Sequence, residues 1–358
     1  MKVIIAAGGT GGHIYPGIAI ATEILRRDAE SEVLFVGTAR GLETKIVPDN
    51  GFQLALIHSA GLKNVGFAGK VRGMMVLPRS FFEARKILRE FKPDVIVGAG
   101  GYVTGPVLLT AHFMGFPTLV MDSNALPGFT NRRLAAFIDK AALTFDDALP
   151  FFGKKGVVTG NPVRAEFFDV ATKVPGEELK VLIFGGSQGS RAINNAMIHA
   201  LAILKENGAK IRVVHQTGET DFGVVEASYS DSGWQDADIR PYISNMVEAF
   251  ADADLIISRA GATTCAEVAA AGKAAILIPL PTAADDHQRK NAEALVRNGA
   301  ARMILQKDLT GKALAKELID LSGNSAELRA MGEAARKMAR PDAAEAAVDL
   351  IESIRKRK

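Results

Sequence analysis

The sequence predicts an α/β protein built from two Rossmann-like domains. A short apolar run, a glycine-rich turn and a helix with 3.6-residue periodicity follow one another repeatedly along the chain. This order starts again near residue 179, so each half of the chain opens with a strand and a glycine turn. The length of 358 residues suits two domains that each bury a core of their own.

The first half of the chain contains four apolar runs that are typical of buried parallel strands. We predict these strands at 3–7, 33–37, 94–100 and 117–122. Helices are predicted at 16–27, where Pro16 suits the first turn, and at 80–91, before Pro93. The first domain is therefore placed at residues 1–160.

The second half follows the same plan without repeating the residues. A strand, a glycine loop and a helix are predicted over 179–201, and further strands at 211–218, 254–261 and 274–280. Helices are predicted at 266–272 and 287–299. The second domain is placed at 161–340, and a last helix at 341–358 is expected to pack back on the first domain.

Composition excludes several classes of protein. Hydrophobic residues make up 48% of the chain and charged residues 23%, which is ordinary for a globular protein. The single cysteine, Cys265, excludes a disulfide framework and a cysteine-rich metal site. The first residues lack the apolar core of a signal peptide, and the longest apolar run, 106–121, is too interrupted to span a bilayer. We therefore expect a soluble or peripheral protein.

The net charge of +3 conceals a basic first half. Residues 1–160 carry 18 Lys and Arg against 13 Asp and Glu, whereas 161–358 carry 25 against 27. Eight basic and two acidic residues fall within 61–92, together with Met74, Met75, Phe81 and Phe82. One interpretation of this stretch is that its apolar residues are buried in the core. The alternative is a basic, partly apolar surface that binds an anionic membrane. The sequence lacks the residue patterns of proteins that recognise nucleic-acid bases, so no nucleic-acid partner is expected.

Two glycine loops indicate anion binding. They are AAGGTGGHIYPG (6–17) and GGSQGS (185–190), each between a strand and a helix. Glycine allows backbone N–H groups to approach an anion closely, and the helix N-terminus adds partial positive charge. Neither loop fits the dinucleotide pattern G-x-G-x-x-G, since Ile14 stands where the third glycine of the first would fall. The chain also lacks the phosphate loop of NTPases, so NAD and ATP are not expected as cofactors.

His13 lies inside the first glycine loop. A histidine there could simply cap the helix. It also lies where open α/β sheets bind ligands, and imidazole is the natural acceptor of a hydroxyl proton near neutral pH. His13 is therefore our candidate for a catalytic base.

Seven stretches carry a resemblance to a known family. They are GGTGGHIYPG (8–17), KPDVIVGAGGYVTGP (92–106), GNPVR (160–164), GGSQGSRAIN (185–194), PYISNM (241–246), SRAGATTCAE (258–267) and DHQRKNA (286–292). The residues of these stretches, and the order in which the stretches occur, resemble those of the MurG family. These enzymes transfer N-acetylglucosamine (GlcNAc) from UDP-GlcNAc to undecaprenyl-diphospho-MurNAc-pentapeptide in peptidoglycan synthesis.

The resemblance implies a GT-B fold, in which two Rossmann-like domains face a cleft. It also implies an inverting transfer to the MurNAc 4-hydroxyl, with no cofactor and no metal ion. The implied partners are UDP-GlcNAc, the undecaprenyl-linked acceptor, an anionic membrane surface and a cell-wall synthesis complex. The implied location is the cytoplasmic face of the bacterial cell membrane, as a peripheral protein.

The resemblance assigns the catalytic role to His13 and donor binding mainly to the second domain. Ile243 falls at the uracil site through its backbone, Glu267 at the ribose and Gln288 at the GlcNAc hydroxyls. The diphosphate pocket comprises Arg164, Ser187, Gln188, Ala262, Thr263, Thr264, Cys265 and Ala266. The first domain contributes Thr10, Gly11, Gly12, Tyr102 and Asn124.

The chain departs from the family in one segment. Met121, Asp122 and Ser123 stand where the family usually has His, Glu and Gln, which puts the role of Asp122 in question. Thr263 likewise replaces a common Leu.

Other functions stay open at this point. Two D-x-D triplets, at 236–238 and 252–254, would suit a metal-dependent transferase, but solvated turn carboxylates are the commoner explanation. A lipid glucosyltransferase, a UDP-GlcNAc epimerase and a non-catalytic sugar-nucleotide-binding protein are the alternative functions.

Overall fold

The computed structural model describes residues 1–9, 11–59, 67–171, 176–186 and 188–355, and within 67–75 only the backbone. Two of the predicted site residues, Thr10 and Ser187, lie outside the described residues. The chain divides into two compact units. The first comprises Met1–Val163 and Arg340–Lys358, and the second Arg164–Ala339.

The first unit is built on a seven-stranded sheet in which every neighbouring pair is parallel. Its strands are β1 (Lys2–Ala7), β2 (Glu32–Gly37), β3 (Gln53–Leu56), β4 (Val95–Gly100), β5 (Thr118–Asp122), β6 (Lys140–Leu143) and β7 (Gly156–Val158). They lie in the order β3-β2-β1-β4-β5-β6-β7. The intervening helices are α1 (Gly11–Arg27), α2 (Glu43–Asp49), α3 (Phe67–Phe91), α4 (Thr104–Phe113), α5 (Phe129–Leu134) and α6 (Leu149–Phe152).

The second unit has a six-stranded parallel sheet in the order β10-β9-β8-β11-β12-β13. Its strands are β8 (Leu179–Phe184), β9 (Ile211–Gln216), β10 (Asp238–Arg240), β11 (Leu255–Ser258), β12 (Ala274–Leu277) and β13 (Ala301–Met303). Its helices are α7 (Arg191–Glu206), α8 (Phe222–Asp231), α9 (Met246–Asp252), α10 (Ala262–Ala271), α11 (His287–Arg297), α12 (Gly311–Ser322) and α13 (Ser325–Met338). A final helix, α14 (Ala343–Ile354), belongs to the first unit.

Three helices begin earlier than the sequence predicted. The structure starts α1 at Gly11 rather than Pro16, α3 at Phe67 rather than residue 80, and α10 at Ala262 rather than residue 266. The prediction took glycine and proline as helix boundaries. Pro16 lies inside α1, where its missing N–H frees only a carbonyl of the first turn. The earlier starts of α1 and α10 bring helix N-termini directly against the strand ends.

The core of the first unit follows the alternation of strand side chains. On one face of the sheet, Val3 and Ile5 of β1 pack with α1 and α14. On the other face, Ile4 and Ala6 pack with α3 and α4. Both faces are covered, as buried parallel strands require.

Helix α14 packs against α1 within the first unit. Its buried residues Ala347, Val348 and Ile351 join the core on that face of the sheet. Arg27 of α1 donates to Asp349 at 2.7 Å and to the backbone carbonyl of Glu345 at 3.0 Å. The last helix is therefore part of the first unit, although the whole second unit precedes it in the chain.

Replacement of Ile351 with Ala tests this packing. The side chain is fully buried, so we expect the free energy of unfolding of the first unit to fall by about 2–4 kcal/mol. Urea titration measures the loss. The exposed Glu352→Ala variant is the control, with a loss below about 1 kcal/mol. Equal losses in the two variants would contradict the packing of α14.

Candidate active site

The ends of β1 and β4 come unusually close together in the first unit. The N–H of Gly8 donates to the carbonyl of Gly100 at 3.3 Å. Gly101 has a φ of +84°, and a Cβ at this position would overlap the Gly8 carbonyl oxygen. Only glycine permits both this backbone conformation and this close approach. The two loops thus form one continuous edge at the carboxyl end of the sheet.

His13 lies at this edge, in the first turn of α1. Its imidazole rests against Gly100, where a Cβ would overlap Nδ1. The hydroxyl of Thr104 accepts a hydrogen bond from the Gly100 N–H at 3.1 Å and fixes that backbone. The ring is half-buried, so it can still contact a ligand. This placement suits a base at the edge of the sheet, where parallel α/β sheets bind substrates.

The first glycine loop offers fewer anion donors than its sequence predicts. Gly8 uses its N–H on Gly100, and Gly9 donates to the Glu43 carboxylate at 2.9 Å. Neither amide is available to a phosphate. The N–H groups of the first turn of a helix have no partner within that helix, so those of Gly11 and Gly12 at the start of α1 are the candidate anion donors of this loop.

Two more predicted residues of the first unit lie close to this edge. Tyr102 follows Gly101 and has an exposed side chain, and its carbonyl accepts from Ser59 at 2.8 Å. Asn124 follows β5 and is partly buried. The exposed ring of Tyr102 can contact a ligand directly.

Asp122 does not present its carboxylate to a substrate. The side chain is buried and accepts hydrogen bonds from the N–H groups of Asn124 and Gly128, both at 3.0 Å, and from Nδ2 of Asn131 at 2.8 Å. Burial raises the pKa of the Asp122 carboxyl, although these hydrogen bonds act in the opposite direction. Asp122 therefore fixes the loop after β5, which includes Asn124.

In the second unit, the N-terminus of α10 is open to a ligand. Gly261 precedes the helix, and no side chain caps it. The first-turn N–H groups of Ala262, Thr263 and Thr264 can therefore bind an anion, and the helix dipole favours negative charge there.

Three buried hydroxyl groups in the second unit have no hydrogen-bond partner among the described residues. Ser190 precedes α7, Ser258 ends β11 and Thr263 lies in the first turn of α10. Buried polar groups are normally paired, so these three hydroxyls are exceptions, and their lack of exposed surface keeps them from contacting a ligand directly.

The second glycine loop packs tightly on its neighbouring loop. Gly189 has a φ of +71°, and a Cβ there would overlap the Thr217 carbonyl. Gln188 has an exposed side chain. The backbone at Thr217 is held by Asn194, which donates to its carbonyl at 3.0 Å. Asn194 in turn contacts His215, and burial lowers the pKa of this histidine to about 3, so its ring is neutral.

Gln216 joins two segments that the sequence assigned to one ligand. Its Nε2 donates to the Gly186 carbonyl at 2.9 Å, and its Oε1 accepts from the Ile243 N–H at 2.8 Å. Ile243 is buried, and its N–H is engaged, so its backbone carbonyl is the group left to contact a base. Tyr242, directly before it, is exposed.

Glu267 lies one turn into α10 and close to Arg164. The distance from the Arg164 guanidinium to Glu267 Oε1 is 3.9 Å. Burial raises the pKa of the Glu267 carboxyl to about 7, although Arg164 acts in the opposite direction. Arg164 also lies over the ring of Phe167, at 4.9 Å from its centroid. The Glu267 carboxyl therefore titrates near neutral pH, next to the positively charged Arg164.

The other predicted residues of this unit differ in what they can contribute. Gln288 Oε1 accepts from the Leu280 N–H at 3.0 Å, so its amide nitrogen is the group that can donate to a ligand. Cys265 is buried, and burial together with Glu267 raises the pKa of its thiol to about 12. Its side chain cannot contact a ligand, and only its backbone lies in the predicted segment. Ala266 is partly buried.

The sequence analysis missed three residues that shape these edges. Glu43 and Gln216 are buried and hold loop amides, and Arg259 donates to the carbonyl of Ile278 at 3.1 Å and to Gln306 at 2.7 Å. A signal existed for Arg259, which stands inside SRAGATTCAE directly after β11. No such signal in the sequence pointed to Glu43 or Gln216, because they bind backbone groups of segments that are distant in the chain.

The D-x-D carboxylates are mostly engaged within the second unit. Asp238 pairs with Arg240 at 2.6 Å, Asp252 pairs with Lys180 at 2.7 Å, and Asp254 accepts from the Lys180 N–H at 3.0 Å. The described part of the chain contains no cluster of three or more His, Cys, Asp or Glu side chains suited to a metal ion. None of its described helices combines the length and hydropathy needed to cross a bilayer.

Comparisons with known proteins agree with this architecture. The glycosyltransferase family 28 N-terminal domain matches residues 3–143, and the family 28 C-terminal domain matches 180–347. The structure of Acinetobacter baumannii MurG superposes with a TM-score of 0.82 at 33% identity, covering 98% of this chain and 99% of that one. The fold is therefore GT-B.

Two curated relatives carry the same name, UDP-N-acetylglucosamine–N-acetylmuramyl-(pentapeptide) pyrophosphoryl-undecaprenol N-acetylglucosamine transferase. The Syntrophus aciditrophicus protein is 47% identical over 98% of this chain and 97% of its own. The Geobacter sulfurreducens protein is 44% identical over 99% of this chain and 100% of its own. The chain therefore belongs to the MurG family of N-acetylglucosaminyltransferases, within glycosyltransferase family 28.

Proposed function

We propose that the chain transfers GlcNAc from UDP-GlcNAc to the 4-hydroxyl of MurNAc in undecaprenyl-diphospho-MurNAc-pentapeptide. The observation that carries this proposal is the uncapped N-terminus of α10, with Glu267 one turn further on. A helix end of this kind binds a diphosphate, and a carboxyl one turn away is suited to ribose hydroxyls. Family membership identifies the sugar and the acceptor.

The donor is held mainly by the second unit. Its diphosphate lies against the first turn of α10, and Arg164 balances its charge. The ribose hydroxyls bond to Glu267, and the backbone carbonyl of Ile243 accepts from the uracil ring. Gln288 donates to a GlcNAc hydroxyl.

The acceptor hydroxyl is activated by His13. The imidazole takes the proton of the MurNAc 4-hydroxyl while that oxygen attacks C1 of GlcNAc from the face opposite UDP. The new C1–O bond forms as the bond to the diphosphate breaks, so the α-linked donor gives a β-linked product. The developing charge on UDP is stabilised by the α10 N-terminus and Arg164.

A transfer assay tests the proposal directly. Labelled UDP-GlcNAc and a short-chain analogue of the lipid-linked acceptor should give one disaccharide-linked lipid for each UDP released. Formation of an epimerised UDP-sugar in the absence of acceptor would identify a UDP-GlcNAc epimerase. Transfer of the sugar to diacylglycerol would identify a lipid glucosyltransferase. Donor binding without UDP release would identify a non-catalytic protein.

His13 variants test the catalytic base. Turnover at saturating substrates should fall about 10²–10⁴-fold in His13→Ala and in His13→Asn, because neither side chain accepts the proton. Asparagine keeps a polar side chain that can still form a hydrogen bond at this first-turn position, so the two variants separate catalysis from a structural hydrogen bond. UDP-GlcNAc affinity should stay within about twofold.

The exposed His112 provides the matched control, and His112→Asn should turn over at the wild-type rate. Near-wild-type turnover by His13→Asn would make His13 a structural residue.

The pKa of Glu267 predicts a pH-dependent donor affinity. Below about pH 7 the carboxyl is neutral, and above it the carboxylate accepts stronger, charge-assisted hydrogen bonds from ribose. The affinity for UDP-GlcNAc should therefore rise about three- to tenfold between about pH 6 and pH 8. Calorimetry measures it, and UDP-GlcNAc itself carries no phosphate proton that titrates in this range.

Glu267→Gln should abolish this rise. Glu293→Gln is the control, because the hydrogen bond from Lys290 and those from Arg289 lower the pKa of Glu293 and keep it ionised throughout the range. An unchanged rise in Glu267→Gln would remove Glu267 from the ribose site.

We also propose that α3 contacts an anionic membrane and places the chain peripherally on the cytoplasmic face. Phe82 is 73% exposed, and it lines an open groove together with Arg85, Lys86, Arg89 and Glu90. Part of the basic stretch at 61–92 lies outside the described residues. Each basic side chain near anionic lipid contributes about 1 kcal/mol, and an exposed phenylalanine adds apolar insertion.

Vesicle binding tests this surface. The Arg85→Glu/Arg89→Glu variant should bind phosphatidylglycerol vesicles at least about tenfold more weakly, while its UDP-GlcNAc affinity stays unchanged. Wild-type binding should also fall at high salt. Arg329→Glu/Lys337→Glu, at two exposed positions on α13, is the control. Equal losses in both double variants would contradict a specific role for α3.

A further inference from the structure

The glycine loop that carries His13 rests on a buried carboxylate. Glu43 is the first residue of α2 and is fully buried. Its Oε2 accepts the N–H of Gly9 at 2.9 Å. Its Oε1 accepts both the N–H and the hydroxyl of Thr38, each at 2.8 Å. One side chain therefore connects the loop after β1 to the end of β2.

The side chain of Glu43 packs closely against three glycines. A Cβ at Gly37 would overlap Cγ of Glu43, one at Gly41 would overlap Oε2, and one at Gly8 would lie 3.0 Å from Oε1. Gly37 ends β2, Gly41 lies in the short connection between β2 and α2, and Gly8 follows β1. The carboxylate thus occupies a closely fitted position beneath the loop, which fixes where its two oxygens point.

Glu43 remains ionised in this position. Burial alone would raise its pKa, but hydrogen bonds from backbone N–H groups, including those of Thr38 and Gly9, and from the Thr38 hydroxyl hold the pKa of the carboxyl below its usual range. A buried ion of this kind is costly unless its oxygens are fully bonded, so displacing the Gly9 N–H is strongly disfavoured. The arrangement resists movement of Gly9.

We infer that Glu43 is a positioning residue that fixes Gly9 in the segment after β1, and with it the first turn of α1 and His13, for transfer. His13 lies four residues after Gly9, and α1 begins at Gly11, directly beyond the loop. The inference rests on the proposed function only for its catalytic readout. Glu43 itself does not touch the substrate, because it lies on the inner side of the loop and is fully buried.

Glu43→Gln is the first test. Glutamine has the same size, but one of its two terminal atoms is an N–H donor, so it cannot accept from both Gly9 and Thr38. We expect kcat to fall about 10- to 100-fold, because displacements near 1 Å have effects of this size. The KM for UDP-GlcNAc should stay within about twofold, since the donor site lies in the second unit.

Gly41→Ala is the second test. Gly41 has an ordinary φ, so alanine strains no backbone, but its methyl group would displace Oε2 from Gly9. The carboxylate stays in the protein while its position changes. The same fall in kcat is expected, and this variant keeps the inference testable if Glu43→Gln folds poorly.

Glu23→Gln is the matched control. Glu23 is a second buried carboxylate of the first unit, in the last turns of α1, bonded to Arg26 at 2.6 Å and to Arg27 at 2.7 Å. Its replacement should lower the Tm but leave kcat near the wild-type value. If Glu23→Gln and Glu43→Gln lose Tm and kcat in the same proportion, the effect is general destabilisation and the inference fails.

Amide hydrogen exchange supplies a readout that does not need turnover. Peptides covering residues 6–13 should exchange faster in Glu43→Gln and Gly41→Ala than in wild type, and at the wild-type rate in Glu23→Gln. Unchanged exchange in both loop variants would overturn the inference. Absence of transfer by the wild-type protein would instead overturn the proposed function, and the exchange result would still decide the role of Glu43.

Discussion

The candidate site residues of each unit depend on how closely backbone segments approach one another at the carboxyl ends of the parallel strands of that unit. In the first unit, Gly101 passes over the Gly8 carbonyl, and in the second, Gly189 passes over that of Thr217. A single methyl group at either glycine would separate the two segments. This contact brings loops from different strands together at the sheet edges where α1 and α7 begin. The helix N-termini can then serve as anion sites.

Buried polar side chains hold these loops in place. Glu43 and Gln216 bind loop amides, and Asp122 binds the amides of the loop after β5. In a helix or strand, these N–H groups would be paired with backbone carbonyls. In the loops the side chains take that place, because a buried N–H group cannot stay unpaired. This pairing determines which loop N–H groups are engaged and which can donate to a ligand. Amides that a side chain already holds are fixed, and the candidate anion donors are the N–H groups of Gly11 and Gly12 in α1 and of Ala262, Thr263 and Thr264 in α10.

The sequence predicted eight of the thirteen described strands, because buried parallel strands are continuous apolar runs between glycine turns, and it missed β3, β6, β7, β10 and β13, which have only three or four residues each. The strands at 3–7 and 33–37 correspond to β1 and β2 within one residue at each end. Helix starts were predicted less well, since Gly11 and Gly12 belong to α1 despite the low helix propensity of glycine. His13 and Glu267 stood out by residue type and motif. Glu43 and Gln216 did not, because their function depends on backbone groups that only the folded chain brings near.

The central claim is that the uncapped N-terminus of α10 and Glu267 hold the nucleotide. Hydrogen exchange of the whole protein with and without UDP, in the absence of acceptor, tests it most directly. The account predicts slower exchange in peptides covering 241–246 and 261–267, and unchanged exchange in those covering 8–13. Protection of 8–13 without protection of 261–267 would contradict it, since the nucleotide would then lie on the first unit.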